Sequence, residues 1–195
     1  MFTGIIEELG KLVSIEQEGG NTHFIIEANM TTELKIDQSL AHDGCCLTVV
    51  GLEENKYTVT AIKETMSRTI LGSWEVGSMI NLERCMKSNG RFDGHIVQGH
   101  VDCTAICEDV QYHDGSWMFT FKYQSDHITV EKGSITINGT SLTVVDSEDN
   151  GFSVCIIPYT YENTSFKSIQ KGSLVNLEFD ILGKYIKKYL RNSNS

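Results

Sequence analysis

"SLAHDGCCLTVV" occupies Ser39–Val50 and "SITINGTSLTVV" occupies Ser134–Val145. Each runs from a glycine, two residues on, to a side chain of nucleophile type (Cys46 or Ser141), and then to Leu-Thr-Val-Val. The two stretches lie 95 residues apart in a chain of 195. The same offset continues outward without a gap. Gly4 meets Gly99, Phe24 meets Phe119, and Thr65 and Thr69 meet Thr160 and Thr164. Gly77-Ser78 meets Gly172-Ser173, and Asn81-Leu82-Glu83 meets Asn176-Leu177-Glu178. Many matches fall on Gly, Ser, Thr and Asn, which set turns and sites and are not generic core filler. A repeat of this kind decides the fold. The chain reads as two copies of one domain, residues 1–92 and 93–180, joined near 88–95. A last segment, 181–195, has no counterpart.

Each copy reads as β. "KLVSIEQ", "THFIIEA", "CLTVVGL", "KYTVTAI" and "SMINLER" are short, rich in Val, Ile, Thr and Tyr, and separated by Gly, Asn and Asp. "LEENKY" and "SEDNGF" mark hairpin turns at matching places. "NMTTELKID" and "YQSDHITVEKG" each have room for a short helical turn. Half a dozen short strands in about ninety residues suit a small closed barrel, which leaves no exposed edge. In the tail, Ile181, Leu182, Tyr185, Ile186, Tyr189 and Leu190 follow helical spacing, with Lys184, Lys187, Lys188 and Arg191 mostly opposite. The segment is short and marginal alone. It needs either its own barrel or a neighbouring subunit to pack on.

The composition, 40% hydrophobic and 22% charged, is that of a globular protein. No apolar run is long enough to span a bilayer, and no signal segment opens the chain. The net charge of −10 disfavours a nucleic-acid partner. The six cysteines are expected as free, buried thiols in a reducing cytoplasm. Adjacent Cys45 and Cys46 point to opposite faces of a strand. Cys103-x-x-x-Cys107 lacks the spacing of a zinc site.

A repeat makes two equivalent pockets, so the differences between copies carry information. Cys46 is answered by Ser141, Asp43 by Asn138, and Ile5 by His100. "AIKET" (61–65) is answered by "IIPYT" (156–160), which holds the only proline. Gly44 and Gly139 allow the backbone to pass close to a ligand. A Ser-His-acid hydrolase is one reading of Ser141 and a histidine. It lacks a G-x-S-x-G turn, and Ser141 belongs to a strand. The plain alternative for Ser141 and Thr143 is polar residues satisfied on a barrel wall. Of the pair in "GHIVQGH", His100 is expected at the site, because Gly99 precedes it at the repeat start. His95 is then structural or surface, and so are His23, His42, His113 and His127.

"MFTGIIEELG", "GRFDGHIVQGHVD", "NGTSLTVV" and "GCCLTVV", in this order and within one tandem repeat, resemble the riboflavin synthase family over essentially the whole chain. That resemblance implies an all-β fold: two six-stranded Greek-key barrels and a C-terminal helix through which homotrimers assemble. It implies a dismutation in which a four-carbon unit passes between two molecules of 6,7-dimethyl-8-ribityllumazine. The products are riboflavin and 5-amino-6-ribitylamino-2,4(1H,3H)-pyrimidinedione, and no metal or redox cofactor takes part. Two like substrates require two like pockets, formed where one subunit's N-terminal barrel faces its neighbour's C-terminal barrel. The resemblance also raises association with a lumazine synthase capsid and a cytoplasmic location.

By the same resemblance, His100, Ser141, Cys46 and Asn138 are the candidate catalytic positions. His100 would assist proton transfer, Ser141 would orient or relay, and Cys46 would contribute as nucleophile or pocket wall. Substrate-binding segments map in the first barrel to Gly4, Ile5 and Ile6; to Cys46, Leu47 and Thr48; and to Thr60, Ala61, Ile62, Lys63, Glu64 and Thr65. In the second they map to Gly99, His100 and Val101; to Lys132; to Ser141, Leu142 and Thr143; and to Cys155, Ile156, Ile157, Pro158, Tyr159 and Thr160. Glu64 and Lys132 would reach the ribityl hydroxyls. Many family members carry Asp at the place of Asn138, and an amide cannot take a proton at neutral pH. Base work would then fall to His100, water or Asp43. The rival is a chromophore carrier of the lumazine protein type, which binds the same ring without turnover.

Overall fold

Strict alternation builds the first strands. In Asn21–Glu27, Thr22, Phe24 and Ile26 are buried while His23, Ile25 and Glu27 are only partly so, one face turned to a core and one away. The computed structural model describes residues 1–193 and extends this pattern into two closed antiparallel barrels. The first comprises β1 (Glu8–Glu18), β2 (Asn21–Glu27), β3 (Ser39–His42), β4 (Cys45–Glu53), β5 (Lys56–Ile62) and β6 (Met79–Arg84). The second comprises β7 (Cys103–His113), β8 (Ser116–Tyr123), β9 (Ser134–Ile137), β10 (Thr140–Glu148), β11 (Gly151–Ile156) and β12 (Leu174–Phe179). Around the first barrel the order is β1-β2-β5-β4-β3-β6, and the second repeats it strand for strand. β2 lies beside β5, not β3, which is Greek-key order. Even the irregularities repeat: register shifts at Leu12/Ser14 and Cys107/Asp109 fall at the same place in each copy.

Each barrel closes on its own core. Leu12, Phe24, Ile26, Leu40, Val49 and Val59 fill the first; Phe119, Phe121, Ile135, Ile137, Val144 and Val154 fill the second. Cys45 joins the first core, while Cys46 packs with Phe2, Ala41 and Val97 on the other side of the strand. All six cysteines are free thiols, though only Cys45 and Cys107 are fully buried and Cys155 is exposed. Of the two expected helical turns, the first forms as a 3-10 turn at Asn29–Glu33. The second stretch forms none. Two short helices follow the last strand of each hairpin instead: α1 (Lys63–Arg68) and α2 (Pro158–Asn163). Pro158 opens α2, where its fixed φ suits a first helical residue.

β3 ends in a buried His42-Asp43 pair. Tyr57 donates its hydroxyl proton to His42 Nε2 (2.9 Å), and His42 Nδ1–H donates to the Leu40 carbonyl (3.0 Å). Burial lowers the imidazole to about 3 and raises the Asp43 carboxyl to about 7. A lowered histidine contributes stability above its unfolded value of about 6.5, and this is lost as pH falls toward 3. A raised carboxyl contributes in the opposite sense, its share lost as pH climbs from the unfolded value through 7. The two slopes oppose each other between about pH 4 and 6.5. Urea unfolding of His42→Gln against wild type therefore isolates the histidine. The variant should gain on wild type by up to about 1.4 kcal/mol per pH unit below 6.5. A constant difference across that range would mean that His42 charges within the fold.

α3 (Ile181–Ser193) is amphipathic, as its spacing predicts, but it is docked by its charges. Lys184 pairs with Asp102 (2.6 Å), Arg191 with Asp126 (3.0 Å), and Lys187 Nζ donates to the Asp126 carbonyl. Leu182, Tyr185, Ile186, Tyr189 and Leu190 are left exposed, each by more than half. Residues 194 and 195, expected in the same helix, lie outside the described residues. Among the described residues no helix is long and apolar enough to cross a membrane.

Candidate functional site

The two quoted stretches meet at their turns. Asp43 and Asn138 each have φ 44°, followed by Gly44 at 78° and Gly139 at 79°, the double positive φ of a tight hairpin. The tips abut. A Cβ on Gly44 would stand 2.7 Å from the Gly139 nitrogen, and one on Gly139 would stand 2.8 Å from the Gly44 nitrogen. These two glycines bring barrel against barrel.

A buried polar network surrounds the tips. Asn81 Nδ2 donates to the Asn138 carbonyl, and Asn176 Nδ2 donates to the Asp43 carbonyl, both at 2.8 Å. Asn81 Oδ1 accepts from Ser165 N–H and Asn176 Oδ1 from Ile70 N–H. The asymmetry of the tips is matched by their neighbours. The Asp43 carboxyl accepts from Asn81 N–H (2.9 Å) and from the Trp74 indole (3.2 Å). Asn138 accepts from Asn176 N–H (2.7 Å) and turns its amide toward the Ser165 hydroxyl (3.5 Å). Where the first copy has Trp74 and Ile70, the second has Ile169 and Ser165. Asn138, a candidate catalytic position by the resemblance, lies within this junction. It is buried, and both ends of its amide are engaged in the junction.

Just beyond the tips, two segments cross between repeats. Ser141 N–H donates to the Gly4 carbonyl and Cys46 N–H to the Gly99 carbonyl, both at 2.8 Å. A side chain on Gly4 would collide with Ser141 (2.5 Å), and one on Gly99 with Cys46 (2.6 Å). Val101 continues the second crossing and packs on the first barrel's core, whereas Ile6 lies by Gly139. The assignment by copy that the sequence suggests is therefore exchanged. Gly4 and Ile6 belong with the second barrel's Ser141, and Gly99 and Val101 with the first barrel's Cys46.

Each crossing is tied down by a buried carboxylate. Glu178 accepts from the N–H groups of Gln98 (2.7 Å), Gly99 (2.9 Å) and His100 (2.9 Å). Glu83 accepts from Thr3 N–H (2.7 Å), the Thr3 hydroxyl (2.9 Å) and Gly4 N–H (2.9 Å). Neither anchor is among the candidates read from the sequence, although the Asn-Leu-Glu match carries their signal: a charged residue repeated inside an apolar strand.

Ser141 meets the other histidine. His95 Nδ1 lies 2.7 Å from Ser141 Oγ, and Nε2 lies 3.2 Å from Thr136 Oγ1. Burial lowers the His95 pKa, partly opposed by the charge of Asp180. Burial thus favours the neutral ring, in which one nitrogen can accept from the Ser141 hydroxyl. His100 is exposed; its N–H, not its ring, is held. Burial pushes the Cys46 thiol up, so it rests as a thiol and not as the thiolate a nucleophile needs.

The other predicted segments divide by face. Leu47 and Ala61 are buried, with Ile156 likewise enclosed, while Thr48, Ile62, Thr143, Cys155, Ile157 and Tyr159 are exposed beside them. Ile5, Lys63 and Pro158 are exposed too; Leu142, Thr65 and Thr160 are half-buried. Thr60 bonds to His23 (2.9 Å). Glu64 pairs with Arg68 within α1 (3.2 Å), and Lys132 stands exposed in the turn before β9 at φ 62°. No group of three or more His, Cys, Asp and Glu among the described residues is arranged for a metal ion.

The lumazine binding domain family model matches residues 3–85 and again 98–180. The chain is 45% identical to a riboflavin synthase of Actinobacillus pleuropneumoniae over 97% of its length and 90% of the relative's. It is 38% identical to a riboflavin synthase of Bacillus subtilis over 100% and 92%. A crystal structure of LumP complexed with 6,7-dimethyl-8-(1'-D-ribityl) lumazine superposes with a TM-score of 0.84, covering 92% of this chain and 99% of that one at 21% identity, a likeness of fold. Twin barrels, exchanged crossings and a family model that fits each repeat in turn lead to one assignment: the chain belongs to the lumazine-binding family that includes the riboflavin synthases.

Proposed function

We propose that this protein catalyses the riboflavin synthase reaction, taking two molecules of 6,7-dimethyl-8-ribityllumazine to riboflavin and the pyrimidinedione. The observation that carries the reading is the pairing of two equivalent corners, one built around Cys46 and one around Ser141, within a chain 45% identical to a riboflavin synthase. Equivalent corners suit identical substrates. The C7 methyl of the lumazine is acidic because its anion spreads into the ring, so a neutral imidazole is base enough. With Ser141 donating to His95 Nδ1, the Nε2–H is left to donate to Thr136, and His95 can pass protons through the serine. Much of the rate comes from holding two rings face to face. Cys46 serves as a wall of the first pocket. Thr48 and Thr143, exposed on the strands that follow the two tips, are polar groups suited to the N–H and C=O edge of a pteridine. Asn138 supports the barrel junction and takes no proton.

The exposed apolar stripe of α3 supports assembly through that helix, as a homotrimer in which one chain's first pocket faces another's second. Boundaries at residues 92 and 180 and association with lumazine synthase belong to the same reading. The test is turnover. Purified protein with the lumazine and EDTA should release one riboflavin for every two lumazines consumed. Binding without riboflavin would make the protein a chromophore carrier.

A further inference from the structure

The two repeats differ beneath the short helices. Trp117 of β8 sits directly opposite Ile156 of β11, which is fully buried. Cross-strand partners share a face, so the indole points to the end of the second core. Tyr161 of α2 lies flat on it, ring centroids 4.0 Å apart and planes 3° apart. Tyr112 of β7 covers it at 5.3 Å, tilted 58°. Three rings thus tie β7, β8 and α2 together. The first copy has Gln17, Thr22 and Met66 at the corresponding places. There Thr22 donates to Gln17 (3.2 Å), and Met66 only packs against the core. α1 has no ring to stack on, and its ion pair is internal to the helix.

We infer that Trp117 and Tyr161 are positioning residues of the second pocket: their stack pins the underside of α2 and fixes the wall Pro158–Thr160 that the substrate lies against. This rests on the functional reading above. Both rings hold a wall segment that must be ordered for the substrate to bind, and a looser wall adds its ordering cost to binding. The first pocket has no such clamp, so the two sites bind the same molecule with walls of unequal stiffness.

The repeat supplies its own control. Trp117→Thr with Tyr161→Met installs the first copy's residues, and Tyr161→Phe keeps the ring. The double variant should raise KM about tenfold or more while kcat changes less than about threefold, and Tyr161→Phe should restore both. Equilibrium titration with the lumazine should show one of two binding equivalents weakened by a similar factor. A second readout needs no change of sequence. Protein labelled with 5-fluorotryptophan carries two resonances, for Trp74 and Trp117. Filling both pockets should move that of Trp117, assigned by Trp117→Phe. A folded double variant with unchanged KM and two unchanged equivalents would overturn the inference. So would a Trp117 resonance that stays fixed at saturation, whether or not the double variant folds. Wild-type protein that binds no lumazine would instead remove the functional reading and this inference with it.

Discussion

His95→Gln should lower kcat/KM by about 10²–10⁴, the range associated with a lost general base. Glutamine can still meet the Ser141 hydroxyl but cannot take its proton at neutral pH. The pH profile distinguishes this from a packing effect. Burial lowers the imidazole, so the wild-type rate should fall on an acid limb below the ordinary histidine value as the ring becomes charged. The variant should have lost that limb. Ser141→Ala should fall in the same range, and the double variant should be little worse than either, because two residues acting as one relay are not additive. His100→Gln should cost less than His95→Gln, since the His100 ring is exposed. A His95→Gln enzyme within about threefold of wild type, with its acid limb intact, would leave the imidazole as a prop for Ser141 and move base work to water.

Glu178→Ala should cost about 3–5 kcal/mol of unfolding free energy, because it strands three neighbouring N–H groups, that of Gly99 buried and those of Gln98 and His100 partly so. It should also impair the first pocket. Without the carboxylate, the 98–101 crossing is free to leave Cys46, and the Gly99–Cys46 bond goes with it. Glu178→Gln should fall between. Its oxygen accepts as before, but its amide turns N–H toward N–H. Urea unfolding and lumazine binding, measured on the same samples, check both halves. A loss below about 1 kcal/mol would mean that the crossing is held by its apolar contacts at Val97 and Val101.

Much of the architecture is legible in the sequence because the repeat doubles every signal. Gly and Asn at matched offsets place the turns, and alternation in "THFIIEA" gives the buried face of β2 outright. What stays hidden is contact between copies. The sequence assigns Gly4–Ile6 and Gly99–Val101 to the barrels they precede; only the folded chain reveals that each crosses to the other. The same blindness covers the contact between His95 and Ser141. His95 lies upstream of the repeat match, opposite no residue of the first copy, so comparison of the copies passes over it and favours His100. "DG" and "NG" are hairpin turn signals, and both tips form such turns. α1 and α2 escape notice because six residues are too few to establish a helical period.

The matched tips of the barrel junction bear on how such a chain diverges after duplication. The Asp43 carboxyl accepts through both oxygens and sits across from an indole; the Asn138 amide also gives a hydrogen bond, and it sits across from a hydroxyl. The two tips are not equally free to drift. A change of Asp43 toward amide leaves the Trp74 proton facing another proton, and a change of Asn138 toward acid leaves Ser165 to supply the missing donor. Once the twins had become unlike at these positions, each half carried a handedness that its sister lacked, so a hairpin moved from one barrel to the other must bring its partner side chain with it.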